Sequence, residues 1–356
     1  MRRLNRIASI ALAFGMLGAS AQQTVSDQKL RELAERSDMQ QYVERIDKLV
    51  KSNEVISVSH VHLKRQQWSL LEQRYIRYQT LLRLSQLAAT EEAENFLNQQ
   101  VSIEPEFYRH LKDGAYAIPV PVFPIAARAK NILNRWVVER YSHEIRHLIS
   151  KQNWSLALSY SQHSKLHHEA LLDAIDSSPI YLLSSFEQQV KSVSEPMVAE
   201  AALAIGLKLG EHRLVKKAFM AARPVFSVHQ VALVRQTFDA DLSFNILASL
   251  LESPHLFSVA AEEMTNIDRD DSVVTILLPY LSDRRLGGAA AFSLRKILGH
   301  EHLDMLSSSF DKTPDRLFHK RLIWILKHSE QPALTRLAKS LTERSPYKKE
   351  LKEASL

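Results

Sequence analysis

E-P-M-V-A-E-A-A-L-A-I-G-L-K-L-G runs from Glu195 to Gly210, and D-R-R-L-G-G-A-A-A-F-S-L-R-K-I-L-G from Asp283 to Gly299. Each reads as one amphipathic helix with small residues at its centre and a glycine at its end. Aligning Ala202 with Ala291 leaves 89 residues between them, and Ala232 and Ala261 divide that span into steps of 30, 29 and 30. An independent register comes from the segments between. Val215, Ile246, Leu277, Leu306 and Leu337 step by 31, 31, 29 and 31. Four positions after each stands another large apolar residue: Phe219, Leu250, Leu281, Phe310 and Leu341. Positions i and i+4 share one helix face. The chain from Glu195 to Arg344 is therefore expected to form five helix pairs with a constant inward stripe.

One such pair cannot bury its own apolar face, but stacked pairs share a continuous core. The alanines let neighbouring first helices approach, and the larger residues of the second helices fill between layers. Pro196, Pro314 and Pro332 fall at helix starts, where a missing N–H costs nothing. Pro279 falls inside a second helix, which predicts a kink or an early end there. The Asp283–Gly299 segment resembles the first helix of HEAT-like repeats, in the short form common in bacterial proteins. The likeness covers about residues 195–344 and is weakest in the second and last units, where Val231-Ala232 and Arg321-Leu322 replace the alanine pair. It implies a right-handed α-solenoid of about five helix pairs, and by analogy of fold a scaffold for other proteins. The period is too short for tetratricopeptide repeats.

Working back along the chain, residues 125–194 read as connecting helices, the longest from Ile125 to about Lys151. Residues 116–124 hold I-P-V-P-V-F-P, from Ile118 to Pro124, where three prolines forbid helix and suggest a hinge. Residues 22–115 form a helical N-terminal unit: Ser26 to about Ser52, Val61 to Ala88, a helix capped by Thr90, and a short helix from Glu104-Pro105 to near Gly114. Lys64, Arg65, Arg74, Arg77 and Arg83 on the second of these stand against Glu72 alone, with Trp68, Tyr75 and Tyr78 interleaved. That pattern fits a charged outer face over an aromatic inner one, or a surface for an acidic partner. The tail, 345–356, carries Lys348, Lys349 and Lys352 and is expected to close the array.

Residues 1–21 read as a cleavable export signal: Arg2, Arg3 and Arg6, an apolar run from Ile7 to Gly18, then Ala19-Ser20-Ala21. The apolar run is too short to span a membrane. The expected address is the periplasm of a Gram-negative cell. Those three arginines supply half of the formal charge of +6, so the remainder gives no reason to expect a nucleic-acid partner. The chain has no cysteine, hence no disulfide framework. Its few, scattered glycines exclude a phosphate-binding loop, a dinucleotide fingerprint and a G-x-S-x-G elbow.

One motif carries chemistry. His143-Glu144-Ile145-Arg146-His147 is H-E-x-x-H, which on a helix sets two histidines one turn apart to share zinc while the glutamate acts as base. Glu169, 22 residues beyond His147, is available as a third ligand, and Asp173 follows it by one turn. The motif resembles that of zincin metallopeptidases. That fold needs a β-sheet beside the helix, which the pattern does not supply, and Arg146 stands where such helices carry an uncharged residue. Glu144 falls within the arc of Leu133, Val137, Tyr141 and Leu148, which predicts partial burial. A second arrangement would bring His143 and His147 against His163 and His167 across a helical turn as a metal cluster. His60 and His62 alternate as on a strand. The expectation is an all-α, non-enzymatic binding scaffold with a protein partner and without a cofactor; a zinc peptidase and a histidine-cluster metal carrier are the alternatives.

Overall fold

The computed structural model describes residues 23–52, 68–113, 116–190 and 193–353. The proposed export signal, His60, His62, Lys64 and Arg65 lie outside them. The chain divides into two compact units, residues 1–140 and 141–356. It is all-α apart from one small sheet, and no helix among the described residues is long and apolar enough to cross a membrane.

The first unit holds β1 (Gln23–Thr24), α1 (Asp27–Glu35), α2 (Ser37–Lys51), α3 (Leu70–Leu84), α4 (Glu91–Gln100), β2 (Phe107–Asp113) and β3 (Tyr116–Pro121). Ser26 and Thr90 cap α1 and α4 through their side chains, and Ser69 with Glu72 makes a capping box that fixes the start of α3. Ile46, Ile76, Leu81, Leu84, Leu97 and Trp136 are almost fully buried at its centre.

The expected short helix from Glu104 to Gly114 is instead a strand. β2 pairs antiparallel with β3, Tyr108 opposite Pro121 and Asp113 opposite Tyr116, while β1 lies parallel on its other side. The reason is local. The proline segment can only be extended, and an extended segment meets its hydrogen-bonding needs by pairing. As an edge strand β3 can carry Pro119 and Pro121 with no ladder bond lost to a further strand. The segment at 116–124 thus lies inside the first unit.

The basic face of α3 turns inward. Arg74 pairs with Glu106 through Nε at 2.5 Å, and Arg77 donates to Gln100 at 2.9 Å. Arg83 lies 3.6 Å from Asp47, while Arg36 pairs with Glu72. Tyr75 and Tyr78 pack on Phe123, and Tyr42 on Trp68. Arg74, Arg77 and Arg83, with Tyr75 and Tyr78, thus find partners within their own unit.

α5 (Ile125–Ser150) runs on into the second unit, followed by α6 (Trp154–Ser161), α7 (Lys165–Ser177), α8 (Ile180–Leu183) and α9 (Phe186–Gln189). Five helix pairs come next. They are α10 (Pro196–Leu209) with α11 (His212–Ala221), α12 (Pro224–Thr237) with α13 (Ala240–Leu250), and α14 (Phe257–Met264) with α15 (Asp270–Leu277). α16 (Gly287–Ile297) with α17 (Leu303–Lys312), and α18 (Arg316–Lys327) with α19 (Pro332–Arg344), complete the set. α20 (Lys348–Glu353) lies on α19. The first helices pack in unbroken succession, α7 on α10, then α12, α14, α16 and α18.

The alanine register explains that succession: Ala202, Ala261 and Ala291 are buried, and Ala232 partly so. Val215, Ile246, Leu277 and Leu306 are buried, as are all five residues four positions later. Leu337 is only half-buried. The inward stripe of α19 is Leu334, Ala338 and Leu341, because that helix must meet α20 as well as α17 and α18. The C-terminal tail closes the end through buried Leu351 and an ion pair from Glu350 to Arg316.

Pro279 ends α15 at Leu277, and the chain continues as a 3₁₀ turn over Leu278–Ser282. Two carbonyls at the end of that turn are reached from α18, in the last pair. Arg321 of α18 donates to the carbonyls of Leu281, at 2.8 Å, and Asp283. Its guanidinium crosses Gly287, where a Cβ would stand 2.6 Å from the Tyr280 carbonyl. So the departure from the alanine pair at Arg321 sets a guanidinium against the 3₁₀ turn two units earlier.

Candidate functional site

The H-E-x-x-H motif lies on the second-unit part of α5. Ile145 and Ile149 are buried, whereas His143, Glu144 and His147 are exposed. The expected partial burial of Glu144 fails because the buried stripe of α5 runs through Ile132, Trp136, Ile145 and Ile149; the arc of Leu133, Val137 and Tyr141 beside it is only half-covered. Glu144 accepts a hydrogen bond from the Tyr160 hydroxyl at 2.7 Å, which raises that phenol above its ordinary range. Glu169 is taken by Lys165, one turn away at 3.3 Å, and Asp173 accepts from Ser142 at 2.6 Å.

His163 and His167 do come together, their rings 5.5 Å apart, but in the company of tyrosines. His167 stacks on Tyr141 at 3.9 Å and takes its Nδ1 contact with Ser164 at 2.8 Å. Tyr160 lies over both histidines. Among the described residues no group of three or more histidine, aspartate or glutamate side chains is placed to hold a metal ion. The motif sets these residue types at helical spacing, but packing gives the carboxylates other partners.

A buried ionic knot in this unit was not anticipated. Glu200, on α10, is fully buried. His168 of α7 meets its Oε2 at 2.6 Å, and Arg223, just before α12, reaches the same carboxylate at 2.5 and 2.7 Å. Burial alone would push this carboxyl up, but the bonds from Arg223 and His168 prevail and hold it at about 2. The signal was present in the sequence: a lone glutamate within V-A-E-A-A, on the side of α10 that the alanines mark as inward.

Two surfaces of the paired helices offer more to an outside molecule. On the first helices, Arg235 of α12 lies 3.4 Å from Glu263 of α14, and Glu262 of α14 bonds Lys296 of α16 at 2.7 Å. Lys296 sits 5.2 Å over Phe292, and Arg295 lies 5.8 Å from the ring of Trp324 on α18. These contacts trace one continuous exposed ridge. On it Phe292 and Trp324 are 52% and 39% exposed, and Leu233 37%. On the second helices, a groove of about 460 Å³ opens between the 3₁₀ turn after α15 and helix α17. Comparison with known protein families, with curated proteins and with solved structures finds no match to this chain.

Proposed function

We propose that residues 195–344 form a HEAT-like solenoid that binds another protein through the ridge of its first helices, and that the chain performs no chemistry of its own. The ridge carries this reading. Tryptophan and arginine are among the side chains that dominate binding energy at protein interfaces, and here Trp324 and Phe292 stand exposed beside Arg295 and Lys296. Succession of first helix on first helix supports the solenoid, since each pair then buries its face mainly against its neighbours. Photo-crosslinking in the native cell from a benzoylphenylalanine at Lys320, beside Trp324, tests it. The expected result is one discrete protein adduct that disappears when Phe292→Ala and Trp324→Ala are combined. An adduct indifferent to that pair, or none, would sink the proposal.

The scaffold reading carries no resident metal, and we take the chain to be exported to the periplasm with cleavage after Ala21. Intact-mass and metal analysis of the purified protein check both. The expected first residue is Gln22, with zinc well below one equivalent. One equivalent of zinc, lost in His143→Ala or His147→Ala, would turn the assignment toward the peptidase. Loss of peptide hydrolysis in Glu144→Gln would then establish it.

A further inference from the structure

The groove on the second helices exists for a reason that can be read at two levels. In sequence, Pro279 stands inside a second helix, unlike Pro196, Pro224 and Pro332, which open the helices that hold them. In space, α15 stops at Leu277 where it would otherwise run on, and the gap between its 3₁₀ continuation and α17 is the groove. Its floor is apolar, built by Leu278, Met305 and Phe318, with Ser309 and Thr275 along the sides.

Its polar equipment is specific. Lys312 is the one charged residue in the lining. It sits in the last turn of α17, whose carbonyl end carries about half a negative charge, so one ammonium leaves the groove net positive. The neighbouring acid, Asp311, is engaged by Arg344 at 3.1 Å. Thr275 is also in the lining, and its backbone carbonyl has lost its usual helical donor because Pro279 has no N–H. The lining therefore combines a cation, apolar side chains, and a residue whose carbonyl lacks its helical donor.

We propose that this groove binds the free C-terminus of a protein chain that ends in a large apolar residue. The terminal carboxylate pairs with Lys312, the last amide N–H meets the Thr275 carbonyl, and the final side chain fills the floor over Met305 and Phe318. A simple fatty acid would satisfy the cation and the floor but has no N–H for the carbonyl, which favours the peptide. This site is separate from the first-helix ridge, and either can fail without the other.

The test is fluorescence anisotropy with labelled peptides of about six residues ending in leucine or phenylalanine, each made as the free acid and as the C-terminal amide. The free acids are expected to bind saturably, and the amides at least about tenfold more weakly, the worth of one charge-assisted hydrogen bond. Lys312→Met, an exposed change that keeps the aliphatic stem, should abolish the difference between acid and amide. Ser309→Trp should fill the groove and remove binding; thermal melts of both variants separate lost binding from lost fold. Equal affinity for acid and amide, discrimination that survives Lys312→Met, or no peptide binding at all would overturn the proposal. Binding of decanoate without binding of any peptide would reassign the groove to small amphiphiles.

Discussion

Glu200→Ala is expected to cost about 3–5 kcal/mol of stability in urea unfolding, the range for breaking a buried ion pair by removing one partner. Glu200 is fully buried and holds three elements together: α10 itself, α7 through His168, and the start of α12 through Arg223. Removing it leaves the buried Nε2 of His168 without its acceptor, on a ring whose Nδ1 already has no hydrogen-bond partner. Arg223 is 53% exposed and can rehydrate, which sets the expectation at the lower end of the range. A loss below about 1 kcal/mol would show that the knot is incidental to stability.

The same knot makes the fold acid-sensitive in a defined window. Glu200 titrates at about 2 in the folded chain, against an ordinary value near 4.5. A carboxylate with a depressed folded pKa adds stability above its unfolded value and loses it as pH falls toward the folded one. Stability should therefore drop between about pH 4.5 and pH 2, by about 2 kcal/mol once screening at the half-exposed Arg223 is allowed for. Glu200→Gln should flatten the profile over that interval. A wild-type profile no steeper than that of the variant there would contradict the assignment.

Leu277→Ala is the second large effect expected, about 2–5 kcal/mol for a fully buried leucine. Leu277 ends α15, and with Leu281 in the following turn it packs in the middle of the paired helices. An end position in such a stack would ordinarily lose less, which is what the register alone suggests for Leu341. The structure removes that distinction. Leu341 is as fully buried as Leu277, because α20 covers α19 with Leu351. Similar losses are thus expected for Leu277→Ala and Leu341→Ala by circular dichroism at 222 nm. Leu351→Ala should lower stability by a smaller amount, since it removes the cover and not the core. If Leu341→Ala proved nearly silent while Leu277→Ala did not, α20 would not be docked in solution.

The helical class, the five pairs and most of the residues that face inward were legible in the sequence, Leu337 being the exception on the second helices. Helical spacing is a local property, and positions i and i+4 share one face; α19 turned a different face inward because it also meets α20. The early end at Pro279 was legible for the same reason: a missing N–H acts on its own helix. The strand at Phe107–Asp113 was not, because a strand is decided by its partner, here the proline segment that could not be helical. Nor were the fates of Glu144, Glu169 and Arg74, whose charges are answered by Tyr160, Lys165 and Glu106. Glu106 lies 32 residues from Arg74, and Glu200 takes partners from two other elements. A motif records which side chains share a face. Which of them stay free for a ligand is set by what else the fold brings within hydrogen-bond reach, and that is a property of the assembled helices alone.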